Sequence, residues 1–131
     1  MTKFILDAAA VVHLANEGLE ASPKHELLAP TLLRSQTLSA LHEAVHRGEI
    51  TAAEGRERLA RIGRMRIRYL GDAVLRRRAW DVADRLGWAS THQAEYIALT
   101  ELQGDALVAL DGELARAACD LVRVATIDDV L

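Results

Sequence analysis

The sequence predicts an α/β fold, with helices on both faces of a mostly parallel sheet of four or five strands. Short apolar runs alternate with longer helical patterns along most of the 131 residues, as in repeated β/α units. The runs at residues 4–6 and 106–110 show no polar alternation, which is typical of strands covered on both faces. Because the length suits one domain and no linker interrupts it, we expect residues 1–131 to form a single domain.

The first half of the chain contains clear helix boundaries. Gly18 is a stop signal, and Thr51 with Glu54 has the spacing of a capping box, in which each side chain satisfies a backbone donor of the other residue. Pro23 and Pro30 keep the segment between the first two helices irregular. The predicted elements are a strand at 3–6, a helix at 8–18, a short strand at 27–29, and helices at 31–47 and 51–62.

The second half continues the alternation. Apolar Met65, Ile67 and Tyr69 alternate with arginines, which is strand periodicity. Asp72 is the expected cap of the next helix, and Ser90–Gln93 fits a second capping box. The predicted elements are a strand at 65–69, helices at 72–86 and from 90 or 91 to 104, a strand at 106–110, a helix at 112–119, a strand at 121–125, and a final turn after Thr126. Six residues are expected to be buried in the sheet: Ile5, Leu6, Leu107, Val108, Leu110 and Val122.

Composition indicates a soluble, cytoplasmic protein. No apolar run approaches the ~20 residues of a membrane span, and the N-terminus reaches Asp7 too soon for a signal peptide. One cysteine, Cys119, excludes a disulfide within the chain and a cysteine-rich zinc site.

The arginines are concentrated in one segment although the net charge is −3. Nine of the sixteen basic residues lie between Arg56 and Arg78. Such a cluster can attract phosphate, or it can form a solvated surface balanced by nearby acids. Trp80 and Trp88 could stack on nucleobases, but packing on helix faces is the simpler expectation.

Two predicted strands are followed directly by an aspartate, Asp7 and Asp111. The carboxyl ends of parallel strands meet at one edge of the sheet, where ligands bind in α/β folds. Paired carboxylates there suit a hard cation such as Mg²⁺. Each aspartate also precedes a helix and is a good N-cap, so spacing alone leaves the cation site and the two caps as alternatives that can coexist.

Four segments together resemble the PIN-domain ribonucleases of VapC type, which are toxins of bacterial toxin–antitoxin pairs. These segments are Phe4–Val12, Leu28–Leu41, Ala94–Thr100 and Leu107–Ala117, and they follow in the expected order over almost the whole chain. The resemblance implies a PIN-like three-layer α/β/α domain. It also implies an RNA substrate, a cognate antitoxin and a homodimer, the last consistent with apolar helix faces at 31–47 and 51–62.

In that family four acids hold one or two Mg²⁺ or Mn²⁺ ions, which activate water to attack an RNA phosphodiester. Asp7 matches the first acid and Asp111 the last. The second falls on Gln36 and the third on Gln93, and glutamine offers a metal a carbonyl oxygen without charge. Other groups that could compensate are more often surface residues than ligands: Glu43, Glu95, Glu113 and His92.

The resemblance therefore predicts a Mg²⁺-dependent endoribonuclease that binds its metal weakly and has weakened activity. The alternative is a catalytically degenerate PIN domain that binds RNA or a protein without cutting. Both remain open at the level of the sequence.

Overall fold

A five-stranded parallel sheet forms the centre of the structure. The computed structural model describes residues 1–131. The strands are β1 (Lys3–Leu6), β2 (Glu26–Pro30), β3 (Ile67–Leu70), β4 (Ala106–Val108) and β5 (Val124–Ala125). Their order is β3-β2-β1-β4-β5, and every neighbouring pair is parallel. The predicted α/β class and the predicted number of strands are confirmed, with β1 in the middle of the sheet.

Helices cover both faces of this sheet. They are α1 (Ala8–Glu17), α2 (Leu32–His46), α3 (Ala52–Arg64), α4 (Ala73–Leu86), α5 (His92–Gln103), α6 (Gly112–Ala118) and α7 (Ile127–Val130). The helices α1, α2 and α3 pack on one another, whereas α4 packs on α5, which also contacts β1, β2 and β4. The chain crosses the sheet in one direction through α1–α3 and returns through α4 and α5, so right-handed connections place the two groups on opposite faces. None of these helices has both the length and the apolar character needed to cross a bilayer.

Local sequence signals fix the helix boundaries. The side chains of Asp7, Asp72 and Asp111 each accept a hydrogen bond from the backbone N–H three residues later, at the start of α1, α4 and α6. The capping box of Thr51 and Glu54 is formed at the start of α3. These caps satisfy donors that the first helical turn leaves free.

The core lies between the sheet and both helical layers. Ile5, Leu6, Leu107 and Val108 are fully buried, as predicted. The prediction is wrong for Leu110, which is 45% exposed because β4 ends at Val108. Val122 is only half-buried, because β5 begins at Val124 rather than at residue 121.

Candidate active site

An open cleft of about 710 Å³ lies at the carboxyl edge of the sheet, next to the ends of β1 and β4. Asp7 directly follows β1, and Asp111 follows β4 after two further residues. Gln36 of α2 and Gln93 of α5 line the same cleft. All four positions singled out in the sequence are thus brought together in this edge cleft.

Asp7 is held rigidly at the base of the edge cleft, where it is only 2% exposed. Its Oδ1 accepts hydrogen bonds from the N–H groups of Ala10, at 2.8 Å, and Leu110, at 3.2 Å. Its Oδ2 accepts one from the N–H of Asp111 at 3.0 Å. One carboxylate therefore caps α1 and fixes the turn between β4 and α6, so its oxygens have defined positions.

The environment of Asp7 changes its acidity. Burial raises the pKa of this carboxyl above the ordinary aspartate value, and the negative charge of Asp111 acts in the same direction. The three backbone hydrogen bonds oppose the rise by stabilising the charged form. Burial is the larger effect, so the folded protein favours the protonated form of Asp7 more than the unfolded chain does.

The side chain of Asp111 accepts fewer hydrogen bonds than that of Asp7. Its Oδ1 accepts a hydrogen bond from the N–H of Leu114 at 2.9 Å, which caps α6. The residue is half-buried and lines the edge cleft. Both aspartates thus serve as helix caps while their carboxylates line one cleft, so the cap interpretation is confirmed and does not exclude a ligand role.

Gln36 is anchored by a neighbouring helix. The hydroxyl of Tyr96 on α5 donates a hydrogen bond to its Oε1 at 2.5 Å. Tyr96 is fully buried, and burial raises the pKa of its hydroxyl far above the ordinary value, with the charge of Asp7 adding to the effect. The hydroxyl is therefore a neutral donor, and it occupies one lone pair of the amide carbonyl of Gln36.

Gln93 lies in the first turn of α5, and the predicted capping box around it is wrong. The helix begins at His92, with Thr91 at the N-cap position and no side-chain cap. The Oγ of Ser90 instead accepts a hydrogen bond from the N–H of His92 at 3.2 Å, so the local structure is a turn. The side chain of Gln93 makes no hydrogen bond within the chain; it is half-buried and lines the edge cleft.

Helices α1 and α2 add further polar groups to the edge cleft. Glu43 lines it, and its Oε2 accepts a hydrogen bond from the hydroxyl of Ser39 at 3.4 Å. His13 and Asn16 of α1 line it too, and sequence analysis did not identify them as site residues. Their spacing from Ala9 places them on the helix face that begins beside Asp7, which is the signal that could have found them. The other three candidates, Glu95, Glu113 and His92, lie outside the lining.

The donor set fits a loosely held divalent cation. No group of three or more His, Cys, Asp or Glu side chains is close enough to form a metal site. Two carboxylates and two amides nevertheless offer hard oxygen ligands, and Mg²⁺ is often held by one or two carboxylates with several waters retained. Since the Oδ2 of Asp7 accepts one N–H and the Oδ2 of Asp111 accepts none, both carboxylates keep lone pairs for such an ion.

The strand order and the edge cleft together define a PIN-like fold. Two solved structures that share it are PAE2754 from Pyrobaculum aerophilum and VapC20 from Mycobacterium tuberculosis, a toxin that cleaves the sarcin–ricin loop. The first is 22% identical over 98% of this chain and 91% of its own, with a TM-score of 0.77. The second is 17% identical over 92% of this chain and 98% of its own, with a TM-score of 0.62. No protein-family model matches the sequence, and no curated protein does.

Proposed function

We propose that the chain is a VapC-like toxin that acts on RNA as an endoribonuclease dependent on Mg²⁺ or Mn²⁺, with weakened activity. The observation that carries the proposal is the meeting of Asp7, Gln36, Gln93 and Asp111 in one cleft of a PIN-like fold. The fold is shared with VapC20, a toxin that cleaves an RNA loop. The proposal includes one PIN-like domain over residues 1–131, a cytoplasmic homodimer and a cognate antitoxin.

The two aspartates would hold the cation. When bound, it supplies Lewis-acid activation of water and charge stabilisation at a phosphodiester. Asp7 contributes a carboxylate whose position is fixed by three backbone N–H groups, and such pre-organisation keeps a ligand in place without loss of side-chain entropy. Asp111 adds a second charge from the next strand along the sheet. The unbonded amide of Gln93 offers an N–H donor to a phosphate oxygen.

The uncharged glutamines at positions 36 and 93 account for the weak metal binding that we propose. At about 4 Å and an effective dielectric constant near 20, a carboxylate attracts a divalent ion by roughly 8 kcal/mol before desolvation is subtracted. The net loss per replaced acid is much smaller. Two uncharged positions still lower the affinity for the ion, so we expect metal to saturate the site only at high concentration.

A second candidate is a PIN domain that binds RNA or a protein partner without cutting. The bond from Tyr96 to Gln36 favours it, because it occupies one lone pair of the carbonyl oxygen that a cation would use. The absence of a third acidic ligand beside Asp7 and Asp111 favours it too. Fewer carboxylates in the edge cleft also mean weaker repulsion of a phosphate backbone.

Cleavage of structured RNA in Mn²⁺, in Mg²⁺ and in EDTA separates the two candidates. A nuclease cuts slowly in Mn²⁺, stops in EDTA and loses activity in Asp111→Asn. The matched control is Asp120→Asn, since Asp120 is exposed and makes no side-chain hydrogen bond or ion pair, and it should cut like the original chain. RNA binding that is equal in Mn²⁺ and EDTA, with no cleavage at any metal concentration, would favour the binding module.

A further inference from the structure

Helix α4 exposes a tryptophan beside two arginines. Trp80 is 65% exposed, contrary to the expectation that it packs on a helix face, whereas Trp88 does pack against the core. Arg76 and Arg77 precede Trp80 by four and three residues, so all three side chains lie on one side of the helix. With Asp81 they line a shallow depression of about 380 Å³. We refer to Arg76, Arg77 and Trp80 as the Trp80 face.

The charges of the Trp80 face have no internal partner. Arg78 and Arg85 of the same helix lie 3.8 Å and 4.0 Å from the carboxylate of Glu101. Arg76 and Arg77 form no ion pair of this kind. Neither guanidinium stacks on the indole, because the single cation–π contact of the chain joins Arg34 to Tyr69. Two cations and a bare aromatic surface are therefore available to a ligand.

The position of the Trp80 face relates it to the edge cleft. Leu70 pairs with Pro30 at the carboxyl ends of β3 and β2, and α4 begins after only Gly71 and Asp72. The first turns of α4 therefore leave the same edge of the sheet at which the edge cleft opens.

We infer that the Trp80 face binds single-stranded RNA, with the indole stacked on one base and the two arginines bound to flanking phosphates. Exposed aromatic rings bordered by cations are the usual means of holding single strands without sequence preference. Asp81 and Asp84 follow on the C-terminal side of Trp80 and repel phosphate, so the backbone is directed to the arginine side. A protein partner suits the face less well, because Trp80 is the only apolar residue that lines the depression.

The class of ligand in this inference, RNA, rests on the proposed function. The test is therefore carried out without metal, so that it measures binding and not cleavage. The probe is a fluorescein-labelled single-stranded RNA of about ten nucleotides, within the usual site size, titrated with the full chain in EDTA. Trp80→Ala should weaken binding about tenfold, as expected for one lost stacking contact. Trp80→Phe should restore most of the affinity. The double variant Arg76→Ala/Arg77→Ala should reduce the slope of log affinity against log salt by about 1.4, the value for two phosphates on a single strand.

Three controls make the result specific. Arg56→Ala removes an exposed, unpaired arginine from α3 on the other side of the sheet, and it should leave affinity and salt slope unchanged. Circular dichroism should show that each variant is folded, which the exposure of the altered side chains leads us to expect. A duplex of the same sequence should bind more weakly than the single strand, since its stacked bases offer no free surface.

Three results would overturn the inference. The first is unchanged affinity in both the Trp80→Ala and the double arginine variants. The second is a duplex that binds as tightly as the single strand. The third is a dimer that becomes a monomer in Trp80→Ala, which would assign the Trp80 face to contact with a second copy of the chain. A chain that binds as expected but cuts no RNA in Mn²⁺ would contradict only the proposed nuclease.

Discussion

The hydroxyl of Tyr96 donates a hydrogen bond to Oε1 of Gln36, and this bond connects α5 to α2 beside the edge cleft. The two residues are 60 positions apart in the sequence. Because the donor is buried and neutral, the bond fixes the glutamine and also gives the buried hydroxyl the partner that it needs. A glutamate at position 36 could accept the same bond and add a negative charge.

We expect Tyr96→Phe to lower the free energy of unfolding by about 1 kcal/mol, the usual worth of one buried hydrogen bond. The ring keeps its packing, so the loss reports the hydroxyl alone. Urea denaturation followed by circular dichroism measures it. Tyr69→Phe is the matched control, because the hydroxyl of Tyr69 makes no hydrogen bond and its ring contact with Arg34 is kept. Equal stability of the two variants would contradict the role given to the bond.

A second prediction concerns pH. The pKa of Asp7 is raised in the folded protein by burial, so the folded state holds this proton more tightly than the unfolded chain does. The stabilising contribution is complete below the ordinary pKa of 3.8. It is lost as pH rises through the folded pKa. We therefore compare the free energy of unfolding of the original chain with that of Asp7→Asn. The difference between them, original minus variant, should fall as pH rises above 3.8.

The comparison with Asp7→Asn isolates this one group, because all other titrations are common to both proteins. Asparagine also replaces one acceptor oxygen with a donor, so it loses a backbone hydrogen bond at every pH. That cost is constant and does not change the direction in which the relative stability varies with pH. Urea denaturation of both proteins across a pH series measures this variation, and a relative stability that increases with pH would contradict the prediction.

Local signals were sufficient for most of the fold. Apolar runs marked the strands, and aspartate or threonine caps marked the starts of α1, α3, α4 and α6. The end of β4 could not be found in this way, because the apolar run continues through Leu110. The backbone N–H of Leu110 bonds to Asp7, 103 positions away, instead of to a strand. That long-range bond turns the chain out of the sheet, and nothing local indicates it.

Only part of the candidate site could be predicted from the sequence, because some of its residues are brought together by long-range packing. The strand-end rule located Asp7 and Asp111, whereas Gln36 and Gln93 were found only through the resemblance to a family. His13 and Asn16 reach the edge cleft through the packing of α1 against α2, which periodicity alone does not specify. Helix periodicity identifies the face on which such side chains lie, whereas the packing between helices decides which faces meet.

The third prediction is a homodimer. Leu38 of α2 is 54% exposed and Leu59 of α3 is 36% exposed. The two helices pack on each other, and apolar patches on such a surface often mark interfaces. Light scattering at micromolar concentration should give twice the chain mass of 14.4 kDa. The double variant Leu38→Glu/Leu59→Glu should be monomeric, since charges buried at an interface without an opposite charge are costly. Val74→Glu is the control, because it places a charge on an exposed apolar residue of α4 and should leave the dimer intact.

The last prediction restores the two missing charges. Gln36→Glu keeps an acceptor for Tyr96, and Gln93→Asp places a carboxylate in the first turn of α5, where the helix dipole favours it. Both variants should therefore fold. With carboxylates at all four of the positions 7, 36, 93 and 111, the double variant should bind Mn²⁺ more tightly and cut RNA faster than the original chain. Each single change should do less, because the four groups share one site and their effects need not add.

Calorimetric titration with Mn²⁺ and RNA cleavage under the same conditions measure both effects. Gln103→Glu is the control for added charge, because Gln103 is exposed at the far end of α5 and does not line the edge cleft. Tighter Mn²⁺ binding in the double variant, lost again when Asp111→Asn is added, would place the ion between the restored acids and the aspartates. If the double variant binds and cuts no better than Gln103→Glu, and Asp111→Asn has no effect, the edge cleft does not bind metal. The two glutamines would then belong to a surface that binds a partner without cutting it, because their amides still offer donors to phosphate or peptide oxygens.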